Sequence, residues 1–254
     1  MKKLNLKNAL IFTLCLLPIA AVGGWFTAQY SISGMDEAML ETAIQQVGSM
    51  ELVMLVTVIQ TVIYAAVCGF FGCIIADKLG LIRPLRFEKK GMMFTLLFGI
   101  LSGVTLSADA FTFAKWIPEL DGYYDASADF DAPTWIASIL YGGVIEEVMM
   151  RLFFMSLLAL IVWKLFCKKE EKVPVKILVI SNIIAGMAFA AGHLPATIML
   201  FGTLTPMILF RCFLLNGAFG ILFGNLYRKY GIQYAILAHM LAHIVSRTIW
   251  LILL

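Results

Sequence analysis

Apolar residues gather in runs of about 20, the length a helix needs to cross the hydrocarbon of a bilayer. Seven such runs are present, over residues 8–29, 52–75, 91–111, 134–163, 177–193, 207–226 and 232–253. The pattern predicts an all-α protein, a polytopic transmembrane helical bundle of seven spans, with an eighth segment as the alternative. Two stretches between the runs do not cross. Residues 34–49 read as a short amphipathic surface helix, and the acidic, aromatic stretch 119–133, edged by Pro118 and Pro133, reads as an exposed loop. The fourth run is overlong: 30 residues extend for about 45 Å, so it must tilt, protrude or break, with Gly142-Gly143 the candidate break. Gly99-x-x-x-Gly103 and Gly220-x-x-x-Gly224 offer close helix contacts. The organisation expected is a set of N-terminal membrane helices and loops over 1–133, followed by a helical core over 134–254.

Composition agrees with the runs. The chain is 61% hydrophobic and 14% charged, with a mean hydropathy of +0.92, far from the balance of a soluble domain. Charge is sorted by loop. Fifteen of the 19 basic residues flank the same ends of the spans: Lys2, Lys3 and Lys7, then Lys78 to Lys90, Lys164 to Lys176, and Arg228 with Lys229. The opposite loops hold Lys115 against eight acids. The positive-inside rule then puts the N-terminus in the cytoplasm. The first run is read as a retained membrane helix and not a signal peptide, since it continues through Trp25 and Phe26 without a small-x-small site. No basic arm points to nucleic acid. The five cysteines have no metal-type spacing and read as packing residues.

Chemistry concentrates in the second half. Glu146 and Glu147 stand side by side inside the fourth run, where an ionisable group costs about 2.5–3.5 kcal/mol. Successive helical residues point about 100° apart, so the two acids face different ways. Glu147 and Arg151, four apart with the acid first, are spaced for an ion pair. That leaves Glu146 to face a cavity, where it suits general-base work. Phe189 and His193 share one helix face. His239 and His243 share another, a spacing that suits zinc when an acid joins them or hydrogen bonds to an oxyanion. Arg211 and Arg247 also lie in spans with no visible partner. They are expected to snorkel, or to pair with each other or with a substrate carboxylate.

Glu146-Glu147-x-x-x-Arg151, then Phe189-x-x-x-His193, then His239-x-x-x-His243, resemble in order the motifs of the CPBP (Abi) family, which holds CAAX prenyl endopeptidases and bacteriocin-processing or bacteriocin-immunity proteins. Asn216, Gly220 and Gly224 look like that family's small-residue helix. The resemblance covers roughly residues 134–250. The last family motif usually ends in Asn, where this chain has His243; an imidazole N–H donates as an amide does. The resemblance implies intramembrane peptide hydrolysis. Glu146 and His193 would activate water, His239 and His243 would steady the oxyanion, and Glu147, Arg151, Phe189 and Asn216 would support them. It needs no cofactor in its glutamate-water form, while in a metalloprotease form Glu146, His193 and His239 would hold zinc. The partners implied are a peptide or membrane-protein substrate and the lipid bilayer, in a bacterial cytoplasmic membrane. Two other classes remain open from the residues: a non-catalytic immunity or scaffold protein of the same fold, and an ion-coupled transporter. One tension is internal. From the side their helices share, His239 lies roughly 11 Å in and His193 roughly 24 Å. To meet, the fifth helix must start later or tilt, or an eighth segment must exist.

Overall fold

A computed structural model describes residues 6–125 and 129–254. Lys2 and Lys3 of the orientation argument, and positions 126–128 of the acidic stretch, lie outside the described residues. Helix makes up 84% of the chain, with no strand among the described residues. The helices are α1 (Leu6–Ser33), α2 (Glu37–Val47), α3 (Met50–Leu79), α4 (Lys89–Ala108), α5 (Ala132–Ala137), α6 (Ser156–Phe166), α7 (Val175–Gly192), α8 (Leu194–Phe201), α9 (Pro206–Cys212), α10 (Phe219–Tyr230) and α11 (Ile232–Leu253). Among the described residues, seven continuous helical stretches are long and apolar enough to cross a membrane. The protein is an integral membrane protein, and its large apolar side chains accordingly face outward. Leu14, Val56, Leu97 and Ile180 are each about half exposed, in the positions that lipid covers.

Small residues set the helix spacing. A Cβ at Gly24 of α1 would come within 3.0 Å of Thr61 on α3, and one at Gly103 of α4 would lie 2.8 Å from the Ala242 carbonyl on α11. Without a hydrophobic drive between helices in lipid, such close backbone approach supplies the packing. The core between them is built of Ala20, Ala65, Ile145, Val148, Leu152, Ala235 and Ala238, all fully buried. The surface helix expected at 34–49 is α2, capped at its N-terminus by the Asp36 side chain accepting from Met39 N–H at 2.8 Å.

Three expectations are corrected. The fourth span does not break at Gly142-Gly143. It runs unbroken from Ala132 to Phe166, and Gly142 and Gly143 instead lie hard against His243 and Met240 of α11. Between α5 and α6 it is wound as a π-helix over Ser138–Glu146 and Val148–Met155, a rare form that concentrates at functional sites. The stretch 119–133 is not simply exposed. Its acids Asp121, Asp125, Asp129 and Asp131 are in solvent. Leu120 and Tyr124, however, turn inward and join Ile117 and Ile208 in a second small core. The fifth span ends at Phe201, not His193, because α8 follows α7 directly. Pro195 in the first turn of α8 lacks the N–H that a continuous helix would need there, so the chain turns at His193. The fifth helix starts at Val175 and no eighth span is present among the described residues, so α7 and α11 are offset or inclined to one another.

Candidate active site

Glu146, Phe189, His193, Asn216, His239 and His243 line one cavity of about 400 Å³ between the spans. The fourth, fifth, sixth and seventh spans each contribute. Glu146, on the π-helical stretch, forms no ion pair or hydrogen bond with its side chain among the described residues. Glu147 points the other way and is fully buried, as the turn between neighbouring residues requires.

Glu147 holds two partners through one oxygen. Its Oε1 lies 2.9 Å from Arg151 Nη1 and accepts from His239 Nδ1 at 2.9 Å. The arginine contact is an ion pair by distance, off the line of a good hydrogen bond. The ion pair was legible from the spacing. The imidazole contact, between residues 92 positions apart, was not, and it makes Glu147 the residue that orients His239. Arg151 is buried with its guanidinium 4.6 Å above the centre of the Phe189 ring. Phe189 in turn meets the His193 and His239 rings edge-on, at 4.6 and 6.0 Å between centres. Gly220 makes room for this stack: a Cβ there would lie 2.9 Å from Arg151 Nη2.

The histidines differ in what their partners allow. His193 Nδ1 is 2.8 Å from the Phe189 carbonyl, which can only accept, so Nδ1 carries the proton and Nε2 the lone pair. His239 donates from Nδ1 to Glu147 and is stacked against His243 at 4.9 Å. His243 has no hydrogen bond to its ring among the described residues. Asn216 donates its amide to the Cys212 carbonyl at 3.0 Å, within its own helix.

The two orphan arginines do not snorkel. Arg211 is clamped by Asp109, the residue that follows α4, with Nε 2.8 Å and Nη2 2.5 Å from Oδ2. Tyr124 also donates to Asp109, and Arg211 Nη2 reaches the Tyr124 hydroxyl at 3.1 Å. Burial, with Asp109 alongside and Arg211 opposing, pushes the Tyr124 hydroxyl well above its ordinary range, so it remains a donor. Arg247 donates to Ser138 Oγ at 3.3 Å and packs over Trp250. Asp109 was missed because it falls at the end of an apolar run. A lone acid there is itself the signal, since a carboxylate at that position needs a cation.

Among the described residues, no three His, Cys, Asp or Glu side chains are placed to hold one metal ion. Glu146, His193 and His239 share the cavity without forming a metal cage.

Residues 128–245 match a family model described as Type II CAAX prenyl endopeptidase Rce1-like. No curated protein and no solved structure gives a match. The matched stretch contains the acid pair, Arg151, Asn216 and all three histidines, and it supports a CAAX-type membrane protease at the level of the family. Over these residues, the chain is similar to the Rce1-like type II CAAX prenyl endopeptidases of the CPBP family.

Proposed function

We propose that this protein is an intramembrane endopeptidase that hydrolyses a peptide bond of a peptide or membrane-associated protein by a glutamate-activated water. The observation that carries this reading is the unpaired Glu146 carboxylate in the same cavity as three imidazoles. Glu146 takes a proton from water, while the His193 Nε2 lone pair accepts from the same water and holds it. The hydroxide attacks the scissile carbonyl carbon, and the C=O electron pair moves to oxygen. His239, held through Nδ1 by Glu147, presents an N–H at Nε2 in this step and donates it to that oxyanion. His243, whose ring is stacked alongside, is the second donor. Collapse expels the amine, which takes the proton held by Glu146. The Glu147–Arg151–His239 cluster ties the π-helical stretch of the fourth span to α11, so the oxyanion donors are preorganised. No step needs a metal. The membrane is the bacterial cytoplasmic one, with the N-terminus on the cytoplasmic side.

The test is cleavage of a labelled peptide library by the purified protein, wild type beside Glu146→Gln, with and without chelator. Cleavage lost in the variant and indifferent to chelator is expected. Loss on chelation would transfer the mechanism to a metal. Equal cleavage by both proteins would remove Glu146 from the reaction and favour the non-catalytic scaffold.

A further inference from the structure

A second cavity, of about 730 Å³, shares no lining residue with the acid–histidine site. It opens where the C-terminal ends of α3, α6 and α10 meet the start of α7. Lys78, Arg83, Lys172, Arg228 and Lys229 line it, against only Asp77 and Glu171; five positive less two negative leaves +3. None of the five cations forms an ion pair with a carboxylate among the described residues.

Charge alone would describe a solvated face. Two buried donors say more. Trp163 Nε1 and Arg228 Nε are both shielded from solvent and have no hydrogen-bond partner, and both residues line this cavity. Burying a donor without an acceptor costs about 1–3 kcal/mol. The remaining Arg228 contact, Nη2 to Asn225 Oδ1 at 3.2 Å, leaves Nε unanswered. The site therefore offers donors and positive charge in excess of its two carboxylates, the complement of an oxyanion with several oxygens.

Position selects among oxyanions. The cavity sits at the ends of membrane spans, among the basic loops, at the depth where lipid headgroups lie. One wall is apolar, formed by Leu79, Leu81, Val175 and Leu178. Val175 is 61% exposed, and Phe166, at the end of α6, is 78% exposed. A free inorganic anion has no use for such a wall, whereas an acyl chain does. We propose that this cavity is a binding site for the phosphate of an anionic phospholipid, held by Arg228, Lys229, Lys78 and Lys172 with the Trp163 indole N–H as a neutral donor. The site is independent of the proteolytic reading, since no group of the reacting cavity takes part.

The experiment uses the full-length protein in detergent, titrated with dioctanoyl phosphatidylglycerol and, in parallel, dioctanoyl phosphatidylcholine and inorganic phosphate, with bound lipid counted by native mass spectrometry. Saturable binding of the glycerol lipid is expected. It should weaken on the order of tenfold in Arg228→Gln with Lys229→Gln, and a few-fold in Trp163→Phe, which removes the N–H together with part of the ring. The double change Arg86→Gln with Lys89→Gln, in the basic loop but outside the cavity, should leave binding unchanged. Equal binding of the choline lipid, or equal weakening by the control pair, would overturn the proposal. Displacement of the lipid by inorganic phosphate at matching concentration would make it a free-phosphate site and overturn the lipid assignment. Should the Arg228/Lys229 variant fail to fold, Lys172→Gln, at an exposed position, decides: undiminished binding there overturns the proposal.

Discussion

Two carboxylate–arginine pairs are buried among the described residues, and they are built in opposite ways. Glu147 and Arg151 are four residues apart on one helix, with side chains 0% and 2% exposed. Asp109 and Arg211 are 102 positions apart, at the end of α4 and on α9, and 2% and 13% exposed. Each carboxylate then takes a second partner. Glu147 takes the His239 imidazole, at the edge of the acid–histidine cavity. Asp109 takes the Tyr124 phenol, from the loop that folds over the helix ends. The same buried pair thus orients an imidazole in one place and latches a loop to the bundle in the other. Burial makes both strict: a charge left alone at these positions has no water to turn to.

The comparison can be broken by removing one member at a time. Glu146→Gln touches neither pair. It is expected to lower cleavage by about 10²–10⁴-fold while leaving thermal unfolding in detergent where it is in the wild type. A large shift in unfolding would instead make Glu146 a structural residue. Glu147→Gln strands the Arg151 charge and should cost about 3–5 kcal/mol of stability. It should also lower cleavage, because His239 loses its orienting carboxylate. Adding Arg151→Gln to it should recover part of the stability and none of the activity, as read by denaturant unfolding beside the cleavage assay.

Asp109→Asn should cost less, about 2–3 kcal/mol, because Arg211 keeps some contact with solvent. If it destabilises as much as Glu147→Gln does, exposure is not what separates the pairs. Tyr124→Phe removes one hydrogen bond to a charged group, for about 1–2 kcal/mol. It also sharpens the contrast through pH. The Tyr124 hydroxyl is raised on folding, so the folded chain holds its proton above the ordinary tyrosine range near 10, and stability falls as pH climbs past that value. Removing the hydroxyl by the same substitution should flatten that alkaline loss, measured as unfolding midpoints between about pH 9 and 11.

The difference between the pairs also marks what was readable in the chain. Glu147 with Arg151, Phe189 with His193, and His239 with His243 are all contacts within one helical turn, so spacing alone paired them. Asp109 with Arg211, and Glu147 with His239, join residues that only the bundle brings together. The inward turn of Leu120 and Tyr124 was hidden for the same reason. The acids around them draw the whole stretch toward solvent on composition, while Ile117 and Ile208 supply an apolar seat that no local pattern announces. The π-helical winding beneath Glu146 was invisible because its i→i+5 hydrogen bonds are backbone bonds, which carry no residue signature at this length.

Seven apolar runs of bilayer length, with backbone groups that lipid cannot satisfy, leave helices as the way to cross. The residues alone therefore dictated the all-helical bundle, its seven spans and the local pairs on each helix. Tertiary structure decided the rest: which carboxylate serves the imidazole, which arginine latches the loop, and that four spans bring their polar groups to one cavity. These are contacts across tens of residues, chosen by which helix faces pack, and packing energy is a property of the assembled bundle that no single segment contains.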